Sequence, residues 1–238
     1  MTVIGSGQNV LVGTHASDFL DSHNIHIRKA AASSPLERTI DAEYTILDRD
    51  DHVVGYIQDV LPRSFYSKIR GYDDGVSYIV KDVHGENVLS ITNSVPGKNE
   101  RLVIKGFQGT KKAKTIGYCY QPPGLSNHSI KLSLAVNMED FGRIKPKTGT
   151  SGIIAITNEE NERDVLATLS IKKKVSGDEK STANEAQNDI EIVFCDEKQQ
   201  SCSNPDSEQN VPKLGTKLSL EQKAIILSSV FYRSLNAV

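Results

Sequence analysis

Lys111-Lys112-Ala113-Lys114 is a basic cluster in the strand-rich part of the sequence, with Arg101 and Lys105 a few residues upstream. Ammonium groups at that spacing can hold a phosphate-bearing polyanion, because each brings a full charge and three donors. The commoner use of such a run is to keep a hairpin loop in water. Lys172-Lys173-Lys174 is weighed the same way. His15, His23 and His26 share one polar stretch and suggest a metal site, but no cysteine or carboxylate set completes it, so they read as surface histidines. Gly5-Ser6-Gly7 lacks the third glycine and the following helix of a dinucleotide loop. Cys119, mid-strand between two tyrosines, reads as packing, and His84 and His128 sit at turns outside any triad-like setting. No catalytic residue, metal-ligand set or cofactor motif is assigned.

The totals narrow the class. With 238 residues, 37% hydrophobic and 24% charged, the chain fits a soluble globular protein with a sizeable core. Basic and acidic residues nearly cancel, at 28 against 30, so nucleic acid is not an expected partner and any anionic ligand must meet a local patch. Three cysteines are too few and too odd for a secreted disulfide framework; Cys195 and Cys202 could pair, but reduced thiols are expected. The first 13 residues lack a signal-peptide pattern, and the expected location is the cytoplasm, peripheral to a membrane. Between Val175 and Asn210, carboxylates far outnumber Lys180 and Lys198, which reads as a disordered acidic loop.

Behind these residues stand two kinds of element. Leu218 to Leu235 predicts one long helix, with Ser219 and Gln222 spaced as a capping box. Its apolar residues point in nearly every direction, so the helix must be enclosed. The run is too short to make a stable transmembrane span. From Tyr44 onward the pattern alternates with period two. Tyr44-Thr45-Ile46-Leu47-Asp48, a turn, and Val53 to Ile57 predict a hairpin, and Tyr78 to Asp82, a turn at Gly85, and Val88 to Ile91 repeat it 34 residues later. Further strands are expected at 101–107, 115–120, 129–136, 153–157, 165–171 and 190–195. About ten strands and a terminal helix suggest a closed antiparallel β-barrel enclosing that helix. Residues 1–40 are expected as a partly ordered arm, 41–238 as the barrel with its helix at 219–236, and polar loop inserts near 172–188 and 196–213.

The repeated Tyr-x-(Ile/Val)-x-Asp hairpins, carried by Tyr78, Val80, Asp82, Gly85 and Val88 and more loosely by Tyr44, Ile46, Asp48 and Val54, together with the helix from Ser219, resemble the tubby C-terminal-like superfamily. The plant LURP-one-related proteins and the phospholipid scramblases are its most similar branches. The resemblance covers residues 42 to 236 and implies a twelve-stranded barrel threaded by the last helix. It also implies binding of phosphoinositide head groups by basic residues after an early hairpin, a place held here by Arg63, Lys68 and Arg70. The scramblase branch's acidic calcium segment corresponds to Asn204 to Asn210, which has two carboxylates and not the expected spacing. The functional expectation is a non-enzymatic barrel that binds anionic lipid head groups or a protein partner, with Arg63, Lys68, Arg70, Lys111, Lys112 and Lys114 as lipid-contacting residues. The alternatives are scramblase-like phospholipid transport and a small-ligand carrier using the barrel mouth.

Overall fold

Tyr44, Ile46 and Asp48 recur at every second position, as do Tyr78, Val80 and Asp82, and a period of two places each set on one face of its strand. The computed structural model describes residues 19–29, 44–60, 77–93, 101–107, 113–122, 129–145, 153–174, 187–195 and 217–236. Among these residues are twelve strands: β1 (Asn24–Lys29), β2 (Tyr44–Leu47), β3 (Val53–Val60), β4 (Ser77–Asp82), β5 (Asn87–Asn93), β6 (Arg101–Phe107), β7 (Ala113–Tyr120), β8 (Ile130–Leu134), β9 (Asp140–Ile144), β10 (Ile153–Asn158), β11 (Val165–Lys174) and β12 (Gln187–Phe194). Each pairs antiparallel with its sequence neighbour. β1 pairs with β12 through Ile25↔Ile192 and Ile27↔Ile190, which closes the barrel. Closure leaves no strand edge open to another chain.

Two of these strands fall outside the expected set. β9 contains Gly142 and Arg143 and shows little alternation. β1 lies in the segment expected as an arm. Its Ile25 and Ile27, with the preceding Phe19 and Leu20, are fully buried, so the barrel starts well before residue 41. The insert near 172–188 is also shorter than expected, because Lys172, Lys173 and Lys174 continue β11 opposite Asp189, Asn188 and Gln187.

Through the barrel runs the helix α1 (Leu220–Asn236). Ser219 N–H donates to Gln222 Oε1 at 2.8 Å and Gln222 N–H to Ser219 Oγ at 3.2 Å, so the capping box is formed. From Lys223 to Phe231 every residue is buried, which covers all faces of the helix. Ile225 lies so close to β7 that a Cβ on Gly117 would fall 2.2 Å from its Cδ1. Only glycine fits there.

The repeated hairpin motif has a plain purpose in this frame. Tyr44 and Tyr78 both stand edge-on to Phe231, with ring centres 5.0 and 5.1 Å away. Ile46 and Val80 fill the core two residues on. Asp48 Oδ1 then accepts the backbone N–H groups of Asp50 and His52, and Asp82 Oδ1 those of His84 and Glu86, which closes each turn.

An up-and-down barrel puts alternate connections at opposite ends. The turns 48–52, 83–86, 135–139 and 159–164 share one rim, here the turn rim, and the cap of α1 lies beside it. Phe231 and Tyr232 reach the other rim, where Asn93 Nδ2 donates to Tyr232 Oη at 2.6 Å.

Candidate functional site

On the outer face of β7 to β10 the charged side chains form one continuous network. Asp140 accepts from Tyr120 Oη at 3.0 and 3.1 Å, from Lys131 Nζ at 2.9 Å, and from Ser133 Oγ. Lys131 also meets Glu159 at 3.1 Å. Arg143 grips Glu159 with two donors, Nη2 at 2.6 Å and Nε at 3.0 Å, and extends Nη1 to Glu162 at 3.2 Å. Lys145 completes the chain at Glu162.

The titration behaviour follows from this crowding. Burial pushes the Asp140 carboxyl up, but the bonds from Ser133, Lys131 and Tyr120 together outweigh it and hold the group below its ordinary value. For Glu159 burial again opposes, and Arg143 and Lys131 win. Tyr120 is pushed up, first by burial and then by its bond to Asp140. The Lys131 ammonium is held on chiefly by Asp140. Both carboxylates are therefore locked in the ionised form and already occupied by donors. The network ties β7, β8, β9 and β10 together; it does not present a proton acceptor poised near neutral pH.

A different arrangement covers β4 to β7. Lys81 and Lys105 point outward between inward-facing neighbours, and Lys114 is exposed at the foot of β7. Among the described residues none of the three has a carboxylate partner. Lys81 and Lys105 are two strands apart, about 10 Å across the sheet at about 4.8 Å per strand, and are offset along it, Lys81 opposite Asn87 and Lys105 opposite Ser90 on β5. Near the other rim the guanidinium of Arg101 stacks on Tyr118, 3.6 Å from the ring centre.

Of the residues expected to contact lipid, Lys114 is thus exposed beside two unmatched cations. Arg63, Lys68, Arg70, Lys111 and Lys112 lie outside the described residues. The strand ends that bracket 61–76, Val60 and Ser77, open on the rim opposite the one bracketed by Phe107 and Ala113. The alternation of connections decides this, and a chain read by cluster alone does not reveal it. Lys81 was not singled out in sequence because it stands alone there.

Asp48, Asp50 and His52 have ligand-type atoms within 4.8 Å of one another, a grouping the sequence reading missed although its signal is Asp-x-Asp-x-His. The turn-closing bonds already account for Asp48, and His52 lowers its pKa through a backbone bond. A cleft of about 270 Å³ at the turn rim is lined by Glu139, Asp140, Asn158, Glu160, Lys217 and Gln222 among others. Cys195 is disulfide-bonded, against the expectation of reduced thiols, and Cys119 is a buried thiol as its mid-strand place suggested. Among the described residues no helix is long and apolar enough to cross a membrane.

Comparison with known proteins adds little to this geometry. No protein-family profile matches the chain, and no curated protein matches it. Among solved structures, an X-ray structure of an Arabidopsis thaliana protein is similar, at 12% identity over 90% of this chain and 92% of that one, with a TM-score of 0.46.

Proposed function

We propose that this chain is a non-enzymatic, tubby-like barrel of the LURP-one-related kind whose outer surface binds anionic lipid head groups at a membrane. The observation that carries the reading is the set of Lys81 and Lys105 on the outer face and exposed Lys114 at the rim, without carboxylate partners among the described residues. Lysines left unmatched beside a fully paired network are available to an external anion. The barrel interior supports the same conclusion. Ile225 packed on Gly117 and Phe231 packed on two tyrosines occupy the space that a barrel carrier would give to its ligand. Contact with a partner therefore belongs on the outside.

Co-sedimentation with vesicles tests this reading. Recovery should be higher with phosphoinositide-bearing vesicles than with phosphatidylcholine alone. Charge reversal at Lys111, Lys112 and Lys114 should lower it. Equal recovery on both vesicle types would remove the proposal. The cleft at the turn rim favours one second reading, a small-ligand carrier using the barrel mouth. That reading requires ligand-induced shifts of the Asn158 and Gln222 amides, measured by nuclear magnetic resonance.

A further inference from the structure

Water-exposed turn tips normally carry polar residues, and the turn rim departs from this at particular places. Val83 in the 83–86 turn is 47% exposed, and Val136 and Met138 in the 135–139 turn are 70% and 57% exposed. The backbone sharpens the point. Three turns on this rim place a residue in the left-handed region: Asp51 at φ 60°, Gly85 at φ 81° and Met138 at φ 57°. Asp and Gly are ordinary there, whereas a long unbranched apolar side chain is not. Met138 thus accepts an unfavourable conformation while holding its side chain in solvent. An outlier of that kind asks for a purpose.

The order of strands places Lys114 between these two apolar turns. Four strand spacings separate the turns, about 19 Å along the rim. Lys81 and Lys105 stand behind this arc on the outer face. Glu86 and Glu139 are the carboxylates in the same two turns. Among the described residues the other two turns carry more carboxylates but match most of them: Asp48, Asp50 and Asp51 share their turn with Arg49, Arg28 meets Asp51 at 3.7 Å, and Glu159 and Glu162 are paired with Lys131, Arg143 and Lys145. The described part of the rim therefore differs along its length, with apolar tips flanking Lys114 on one arc and largely ion-paired carboxylates on the other.

We propose that the arc formed by the 83–86 and 135–139 turns is a membrane-docking edge, in which Val83, Val136 and Met138 enter the head-group layer of an anionic bilayer while Lys114, Lys105 and Lys81 meet its phosphates. This deepens the lipid reading above and rests on it. Apolar tips supply burial, lysines supply attraction to the anionic surface, and two weak signals together give stable attachment where one does not. The 159–164 turn has no exposed large apolar side chain, so it stays in water when this edge docks.

Two measurements test the edge. In the first, Val83→Ser, Val136→Ser and Met138→Asn are combined in the full chain. All three positions are exposed and Asn suits the left-handed backbone, so the melting temperature should hold. Partitioning onto phosphatidylserine-containing vesicles should fall by about tenfold or more, the loss expected for removing partly buried apolar groups. In the second, an environment-sensitive fluorophore is attached at Val136→Cys, at Asn161→Cys in the 159–164 turn, or at Ile153→Cys on the opposite rim. Only the label at 136 should shift to the blue, and only with anionic vesicles. If the unmodified chain binds the vesicles, yet the triple variant binds equally well or all three labels respond alike, the docking edge is wrong and the lipid reading survives. If the unmodified chain binds no vesicle, both fall.

Discussion

The two sides of β7 handle charge in opposite ways. Toward β8, β9 and β10, Lys131, Arg143 and Lys145 each meet a carboxylate, and Asp140 gathers three donors. Toward β6, β5 and β4, Lys114, Lys105 and Lys81 meet none among the described residues. A paired network fixes strands to one another and offers little to a visitor. Unmatched lysines contribute nothing comparable to the fold and leave their charge for something outside it. The difference separates the side whose paired charges tie strands together from the side to which the proposed contact is assigned.

That contrast depends on β7 itself, which carries Lys114 at one end and Tyr120 at the other with Gly117 between them. A Cβ at Gly117 would meet Ile225 Cδ1 at 2.2 Å and the Ser133 carbonyl oxygen at 2.5 Å, and that backbone atom cannot yield cheaply. Gly117→Val should therefore destabilise the protein by about 3 kcal/mol or more, through overpacking between strand and helix. Both sides should suffer together, losing cooperative melting and vesicle binding in step. Thermal unfolding that stayed at the wild-type temperature would mean the helix does not press on this strand.

The next largest effect belongs to the paired side alone. Glu159→Gln removes the charge that Lys131 and Arg143 share, and these groups are only about one-fifth exposed, at 22% and 24%. The expected cost is about 1–2 kcal/mol, more than a surface ion pair and less than a fully buried one. In a chain of this size that lowers the melting temperature by roughly 2–4 °C per kcal/mol. Binding to vesicles should not change. A loss of binding with stability intact would transfer the contact role to the paired side.

How much of this was legible beforehand differs by region. The helix, its cap and the paired hairpins could be read because their signals are local: Ser219 lies three residues from Gln222, and each Tyr-x-(Ile/Val)-x-Asp unit carries its own turn. β1 was hidden because Ile25 and Ile27 alternate with His26 and Arg28 in a stretch dominated by polar residues. β9 was hidden by Gly142 and by having few apolar positions. The network could not be read at all, since Lys131 and Glu159 are brought together by strand register and no local pattern marks them. The division of charge across β7 is likewise a product of topology.

Acid exposes the paired side in a second way. Asp140 and Glu159 have folded-state pKa values below their ordinary values of 3.8 and 4.5. A depressed carboxylate stabilises the fold fully above its unfolded value and loses that contribution as pH falls through the lower folded value. Stability should thus be flat from neutral pH to about 5, then fall below about 4.5 as the network protonates. In the Asp140→Asn, Glu159→Gln double variant the fall should be shallower, because the carboxylates responsible are gone. Denaturant titrations across that range check it. An unchanged acid slope in the double variant would place the sensitivity elsewhere.

The smallest change in stability is expected on the unmatched side, and it is the most telling. Lys105→Gln with Lys114→Gln removes two charges that have no carboxylate partner among the described residues. Surface substitutions of that kind usually stay within about 0.5 kcal/mol, so denaturation midpoints should coincide with those of the unmodified chain. Attraction to an anionic bilayer is worth about 1 kcal/mol per lysine near the surface, so vesicle binding should fall by about ten- to thirtyfold and its salt dependence should weaken. The pair of outcomes, fold untouched and attachment lost, is the mirror image of Glu159→Gln. Were the double variant to destabilise the barrel while binding vesicles normally, Lys105 and Lys114 would be structural cations, and the two sides of β7 would differ only in how visibly their charges are matched.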